Sequence, residues 1–472
     1  MDNGHPPRRL SRWAAALVFF ASAAIGSAHA ELSPDLLEAL RAAGPGEKVP
    51  VMILFDRQGL SLAERQVLRA LPRAQRRAQG RALLESRAAA AQMDLRGYLG
   101  RLEGEGTASD IRPLWIINAV LARLAPDNVY DLDGFAGVRR VIWDPPVPPA
   151  AMMDAGTDRG VWDGPAGYQR ADSIAWQLTS IRAPEAWELG YDGAGVLVGV
   201  IDSGMDYNHT DLAGRLYINP GEIPGNGLDD DANGFVDDWR GWDFVLDDND
   251  PMEDGSGYHG THVCGLVAGD GTGGVHTGVA PGARILPIKA LGGTWGTIVE
   301  AINYAVLMDV DVVQMSISQK WGQIPKPDYA AWRIVTDNEL ALGYLHCNSI
   351  GNEGDNQDSD PIPFNVSAPG NSPPPWIDPG QYIEGRESAV LGVGSLDRED
   401  YVDDASSRGP SVWENIGSFV PGYPFPMPPE YWDYPYFAGP GGLSKPDLTA
   451  PGNATVTTRS EERRVGKECG LL

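Results

Sequence analysis

One run of residues limits the possible folds more than any other. Gly195-Val-Leu-Val-Gly-Val-Ile201 is continuously apolar and rich in β-branched side chains, and it stops at Asp202. A strand buried on both faces has this pattern, and such strands belong to parallel sheets covered by helices. The chain beyond it alternates in the same way. Ile285–Lys289, Val310–Met315, Leu345–Ser349 and Val390–Gly394 read as strands, and Ala183–Leu189, Thr297–Met308 and Tyr329–Ala341 as helices. Strands alternating with helices predict an α/β, three-layer fold with a mainly parallel sheet. In such folds functional groups sit beyond the carboxyl ends of the strands, where Asp202 lies.

The region from Glu31 to about Pro149 differs. It has a strand at Val49–Phe55, a helical stretch rich in Arg, Ala, Leu and Gln from Ser61 to Leu102 with Gly80 and Gly97 as expected interruptions, and a strand pair around Asn118 within Ile111–Leu124. A short helix at Asp127–Leu132 and a strand at Val138–Trp143 complete it. This β-α-β-β-α-β order predicts a small α+β ferredoxin-like sandwich. It is basic in patches, whereas the whole chain carries 37 Lys and Arg against 64 Asp and Glu, for a net charge of -27. Electrostatic docking of the two parts is expected. The same acidity argues against nucleic acid as a partner, since phosphate backbones require Lys and Arg.

Residues 1–30 have the form of a secretory signal peptide: Arg8, Arg9 and Arg12, an apolar run from Trp13 to Ile25, and Ala28-His29-Ala30 before Glu31. The apolar run is shorter than the ~20 residues needed to span a bilayer. Export to the medium, periplasm or cell envelope is expected, with no membrane span. Residues 150–170 are rich in Gly, Asp and Pro and read as a linker. The three cysteines, Cys264, Cys347 and Cys469, fit no metal or disulfide framework.

Three short strings carry the chemistry. Val200-Ile-Asp202-Ser-Gly204 offers a carboxylate at a strand end, His259-Gly-Thr-His262 an imidazole at a helix start, and Ser349-Ile-Gly-Asn352-Glu-Gly354 an amide on a glycine-flanked loop. A carboxylate fixes the imidazole tautomer, the imidazole takes a proton from a hydroxyl nucleophile, and the amide donates to the developing oxyanion. The ordered set resembles the subtilisin-like serine peptidases, the subtilases. Gly278-Val-Ala-Pro-Gly282, Met315-Ser316-Ile317, Ala405-Ser-Ser-Arg-Gly-Pro410 and Lys445-Pro-Asp-Leu-Thr-Ala-Pro-Gly452 extend the resemblance from about Trp176 to Gly452.

The resemblance implies Asp202, His259 and Asn352 as catalytic residues, and Ser316, Ile317 and Ser318 as the strand that pairs with a protein or peptide substrate. It implies that residues 31–149 are a propeptide, an intramolecular inhibitor, before a peptidase domain at 171–458. Ser318 stands where the family has glycine, and Cys264 where it has alanine. His262 and His209 read as structural.

The acidic loop Asp229-Asp-Asp231-Ala-Asn233-Gly-Phe-Val-Asp237-Asp238 has calcium-loop spacing. Its twelfth position is Arg240, not Glu, so it is no EF-hand. Structural calcium on Asp229, Asp231, Asn233 and Asp237 is expected, with no catalytic cofactor.

The family's nucleophile lies in a Gly-Thr-Ser string, and none occurs in the 472 residues. Residues 459–472 begin Arg-Ser-Glu-Glu-Arg-Arg-Val-Gly-Lys-Glu-Cys, which resembles the in-frame translation of a common short-read sequencing adapter, so an artefactual tail is expected. The reading is therefore a secreted serine endopeptidase cut at about Thr458, with the chain as written inactive. The alternatives are a pseudoprotease or binding module without a nucleophile, and an inhibitory N-terminal region acting alone.

Overall fold

The computed structural model describes residues 30–56, 59–152, 173–253, 258–381, 385–418, 420–436, 441–452, 455 and 457. Residues 1–29 of the expected signal peptide, nearly all of the expected linker and the tail after Thr458 lie outside the described residues.

The N-terminal part runs β1 (Glu31–Leu32), α1 (Pro34–Ala42), β2 (Val49–Phe55), α2 (Leu62–Arg69), α3 (Arg73–Gly104), β3 (Ala108–Leu114), β4 (Ala119–Leu124), α4 (Pro126–Tyr130), β5 (Val138–Trp143) and the single turn α5 (Pro149–Met152). Its sheet has the order β1-β5-β2-β4-β3, antiparallel except for the short β1–β5 pair. Asn118 makes the β3–β4 turn with φ at 49°, a left-handed conformation that Asn tolerates better than most residues.

The helical stretch differs from its expected form. It breaks at Leu71-Pro72, ahead of α3, because proline supplies no amide to continue a helix. Helix α3 then runs unbroken through Gly80 and Gly97. Gly80 is there for close approach: a Cβ at this position would stand 2.3 Å from Leu342 Cδ2 across the boundary between the two parts.

The second part contains β6 (Ser173–Ile174), α6 (Trp176–Ser180), α7 (Ala183–Glu188), β7 (Leu197–Asp202), β8 (Trp242–Asp243), α8 (His259–Ala268), β9 (Val275–His276), β10 (Arg284–Lys289), α9 (Trp295–Leu307), β11 (Val312–Met315), α10 (Tyr329–Leu342), β12 (Leu345–Ser349), β13 (Val390–Leu396) and β14 (Leu448–Pro451). Seven of these strands form one parallel sheet, in the order β14-β13-β12-β11-β7-β10-β8. β7, the strand with the continuous apolar run, is interior to this sheet, and Val200 and Ile201 are buried. The three-layer α/β fold with a mainly parallel sheet is present as the sequence pattern requires.

The two parts share one apolar core. Met52, Leu121 and Ile142 of the N-terminal sheet join Trp295, Ile298 and Trp332 of α9 and α10 in it. Charge surrounds this core in one sense. Arg65 pairs with Asp337 at 2.7 Å, Arg77 with Asp309 at 2.7 Å, Arg112 with Glu300 at 2.9 Å and Arg140 with Asp328 at 2.9 Å, the arginine always from the N-terminal part. Asp144 crosses the other way to the start of α9, accepting from Thr294 Oγ1 at 2.6 Å and from the Gly296 amide at 3.1 Å. A carboxylate at a helix N-terminus satisfies orphan amides and meets the positive end of the helix dipole.

Arg140 is 4% exposed and Asp328 6%, so removing one strands the other in a low-dielectric site. Asp328 also caps α10, accepting from the Ala331 amide at 3.0 Å. Arg140→Ala is expected to cost about 3–5 kcal/mol, lowering the urea midpoint of the chain. An unchanged midpoint would show that this pair does not hold the two parts together.

Candidate active site

Strand β7 delivers Asp202 to the carboxyl edge of the sheet, fully buried. Helix α8 starts at His259, after Tyr258 in a left-handed conformation with φ at 64°. His259 is 2% exposed, and its Nδ1 lies 2.6 Å from Asp202 Oδ1. The same carboxylate oxygen accepts from the Ser203 amide at 2.7 Å. The carboxylate thus holds the ring with Nδ1–H toward Asp202, which leaves Nε2 as the basic nitrogen. Gly260 makes this proximity possible: a Cβ there would stand 2.1 Å from the Gly204 carbonyl oxygen.

Beyond Met315, which pairs with Ile201 of β7, the chain continues as Ser316, Ile317 and Ser318, all buried. Ser316 therefore falls beside Asp202 along the sheet edge. The Ser318 amide donates to the Met152 carbonyl at 3.1 Å, and Gln323 Nε2 donates to the Ala151 carbonyl at 2.5 Å. The end of the N-terminal part thus lies along the segment from Ser318 to Gln323. Asn352 follows β12, and with Ser316, Ser349, Gly351, Ser395 and Gly452 it lines a cavity of about 140 Å³ at the carboxyl ends of the parallel strands. Asp202 and His259 are in direct contact, and Asn352 and Ser316 share one cavity.

The other singled-out groups lie off this centre. His209 Nδ1 accepts from the Asp211 amide at 3.1 Å, and the His262 carbonyl accepts from Thr457 Oγ1 at 2.5 Å. Cys264 is fully buried in α8, and burial pushes its thiol up, with Asp202 and Glu253 adding to the rise.

The acidic loop holds a carboxylate cluster. Oxygens of Glu222, Asp231 and Asp238 lie within 4.8 Å of one another. Burial pushes the Asp238 carboxyl up, and Glu222 Oε2 is buried with no hydrogen-bond partner among the described residues. Three carboxylates drawn together, one of them with an orphaned oxygen, suit a hard divalent cation such as calcium. Of the four residues expected as ligands, only Asp231 belongs to this cluster. Asp229 accepts from the Asn233 and Gly234 amides at 3.0 and 2.8 Å, and Asp237 from the Asn226 and Gly227 amides at 3.0 and 2.8 Å. Asn233 donates through Nδ2 to Asp238 at 2.9 Å. These three tie the loop to itself. Sequence spacing missed Glu222, which reaches the loop from outside it and accepts from the Asp230 and Asp231 amides at 2.9 and 3.1 Å. It also missed Glu253, buried behind Asp202, for which no motif gives a signal.

Among the described residues no helix is long and apolar enough to cross a membrane. The profile of the subtilase family, peptidase S8, matches residues 193–469, more than half of the chain. The chain is 27% identical over 399 residues to Bacillopeptidase F of Bacillus subtilis, covering 79% of this chain and 25% of that protein. It is 34% identical over 232 residues to the minor extracellular protease Vpr of the same organism, covering 47% of this chain and 23% of Vpr. It is 29% identical over 206 residues to subtilisin E, covering 43% of this chain and 46% of that protein. The chain thus spans less than two thirds of each of these relatives. With the parallel sheet, the buried Asp202–His259 pair and the matched segment in hand, the chain belongs to the subtilase family of serine peptidases.

Proposed function

We propose that this chain carries the peptidase domain of an exported, calcium-stabilised serine endopeptidase, together with the N-terminal region that restrains it. The observation that carries the reading is the 2.6 Å contact between His259 Nδ1 and Asp202 at the sheet edge. In this reading His259 Nε2 takes the proton of a serine hydroxyl as that oxygen attacks the substrate carbonyl, and later returns it to the leaving amine. Asp202 keeps the ring oriented and stabilises the imidazolium. Asn352 donates its amide N–H to the oxyanion. Ser316, Ile317 and Ser318 pair with the substrate backbone as an added strand. No Gly-Thr-Ser string occurs in the 472 residues, so the nucleophile is assigned to no residue of this chain.

Residues 31–149 act as propeptide and inhibitor, and residues 1–30 as the export signal. The six contacts between the two parts described above support a restraining role for the N-terminal part. So does the hydrogen bond from Ser318 to Met152, since a peptide laid on that segment as an added strand competes for the same amide. Residues 150–170 then serve as the linker between the two parts, with its first residues Ala151 and Met152 still lying on the segment from Ser318 to Gln323.

Glu222, Asp231 and Asp238 hold the calcium, whose two charges offset two of the three carboxylate charges and fasten the acidic loop. Asp229, Asn233 and Asp237 shape the loop around them.

Two experiments test the reading. The 472-residue chain is expected to leave casein intact, while the protein expressed from the resequenced gene is expected to hydrolyse it and to be blocked by phenylmethanesulfonyl fluoride. Hydrolysis by neither, with no Gly-Thr-Ser string in the gene, would establish a binding module instead. For the metal, calcium at a hundred times its Kd stabilises by about 2.7 kcal/mol. Dialysis against EGTA is therefore expected to lower the Tm, calcium to restore it, and Glu222→Gln to abolish the difference. A Tm indifferent to chelator would remove calcium from the account.

A further inference from the structure

Two buried polar residues behind Asp202 have no part in the reaction as derived. Ser203 is fully buried and Glu253 is 6% exposed. The Ser203 hydroxyl lies 2.7 Å from Glu253 Oε2 and 3.2 Å from Asp202 Oδ1, and it accepts from the Gly260 amide at 2.8 Å. Glu253 Oε2 also accepts from the Thr261 amide at 3.3 Å. Glu253 Oε1 and Asp202 Oδ2 are buried without a hydrogen-bond partner among the described residues. Two carboxylates thus flank one hydroxyl, and a hydroxyl has one proton to give. Ser203 can donate to Asp202 or to Glu253, but not to both.

We propose that Glu253 is a positioning residue that acts through the Ser203 hydroxyl to set the basicity of His259. The proposal rests on the reading of Asp202 and His259 as the peptidase's acid–base pair. When Glu253 is ionised, Ser203 donates to it over the shorter distance, and Asp202 Oδ1 keeps only the Ser203 amide and the imidazole. When Glu253 takes a proton from solvent, its O–H donates to Ser203 Oγ, and the serine proton turns to Asp202. That further donor spreads the charge of Asp202 and weakens its hold on the imidazolium. His259 is accordingly the stronger base while Glu253 is ionised. No proton passes between Glu253 and His259; a hydroxyl rotates.

Burial pushes the Glu253 carboxyl up to about 7; the Ser203 hydrogen bond opposes the rise and the Asp202 charge adds to it. The rotation therefore falls in the range where a general base works. Among the described residues the charged and titratable groups around Glu253 are few. Asp202 faces it from β7, His259 and the neutral Cys264 thiol from α8. Lys289 of β10 donates to the neighbouring Met252 carbonyl at 3.3 Å and pairs with Asp243 at 2.9 Å.

A purely structural role, fastening the turn at Gly260 and Thr261, would leave the titration of His259 unmoved. The test is that titration, followed by NMR on the full chain labelled at histidine, in the native sequence, Glu253→Gln, Ser203→Ala and the double variant. In the native sequence the His259 signal is expected to carry a second inflection where Glu253 ionises. Glu253→Gln is expected to remove it and to lower the His259 midpoint by about one unit. In the Ser203→Ala background the same change is expected to have less than about half that effect. An unmoved midpoint in Glu253→Gln overturns the proposal. An equal shift with and without Ser203 also overturns it, since that marks a bare charge effect.

If Glu253→Gln does not fold, Ser203→Ala alone decides, because a second inflection persisting at full size rules out the hydroxyl. Asp202→Asn separates this proposal from the reading beneath it. If the His259 midpoint does not fall in Asp202→Asn, the acid–base pair itself is wrong. If it falls there and not in Glu253→Gln, only the role of Glu253 is lost.

Discussion

The hydrogen bond between Asp202 and His259 is the constraint to which the rest of the molecule answers. A carboxylate that is fully buried is costly unless its charge is met by donors. Here the donors are an imidazole from the first turn of α8 and the Ser203 amide beside it. Meeting them requires that β7 end where it does, that α8 begin with the ring already turned inward, and that Gly260 allow the two backbones to touch. The parallel sheet supplies the first condition, because its carboxyl edge gathers β7, β11, β12 and β13 and the loops that follow them. The cavity beside Asn352 is a consequence of the same edge.

The N-terminal part answers to a second constraint. Helix α10 carries Arg333, Asp337, Asn338 and Glu339, none of them more than 1% exposed. A helix so polar is buried only when each group finds a partner. Arg333 pairs with Asp337 and Asp433, Glu339 with His346, and Asn338 donates to the Ile116 carbonyl of the N-terminal part at 2.7 Å. Arg65 completes the set at Asp337. The N-terminal part is thus a structural partner of the peptidase domain as well as its proposed restraint, and releasing it uncovers carboxylates now matched by arginine.

How much of this the sequence reveals depends on range. The α/β alternation was legible because β7 and its neighbours are apolar enough to require burial on both faces. The roles of Asp202 and His259 were suggested by strings a few residues long. The docking of the two parts was legible as an imbalance of charge, yet its pairs were not: Arg65 and Asp337 are 272 residues apart, and no local pattern links them. The same holds for Glu222, brought to Asp231 and Asp238 by the path of a loop, and for Glu253, set behind Asp202 by the chain before α8. Gly80 misled for a related reason. Its local meaning is a weak point in a helix, whereas its use is to admit Leu342 from the other part.

The most direct test of the account is the rate of peptide hydrolysis by the protein expressed from the resequenced gene, with and without His259→Ala. In the proposed reading His259 is the general base, and His262, three residues further along α8, has no part in the reaction. The account predicts a loss of more than about a thousandfold in kcat with KM little changed. A His259→Ala enzyme that retained its kcat would contradict it.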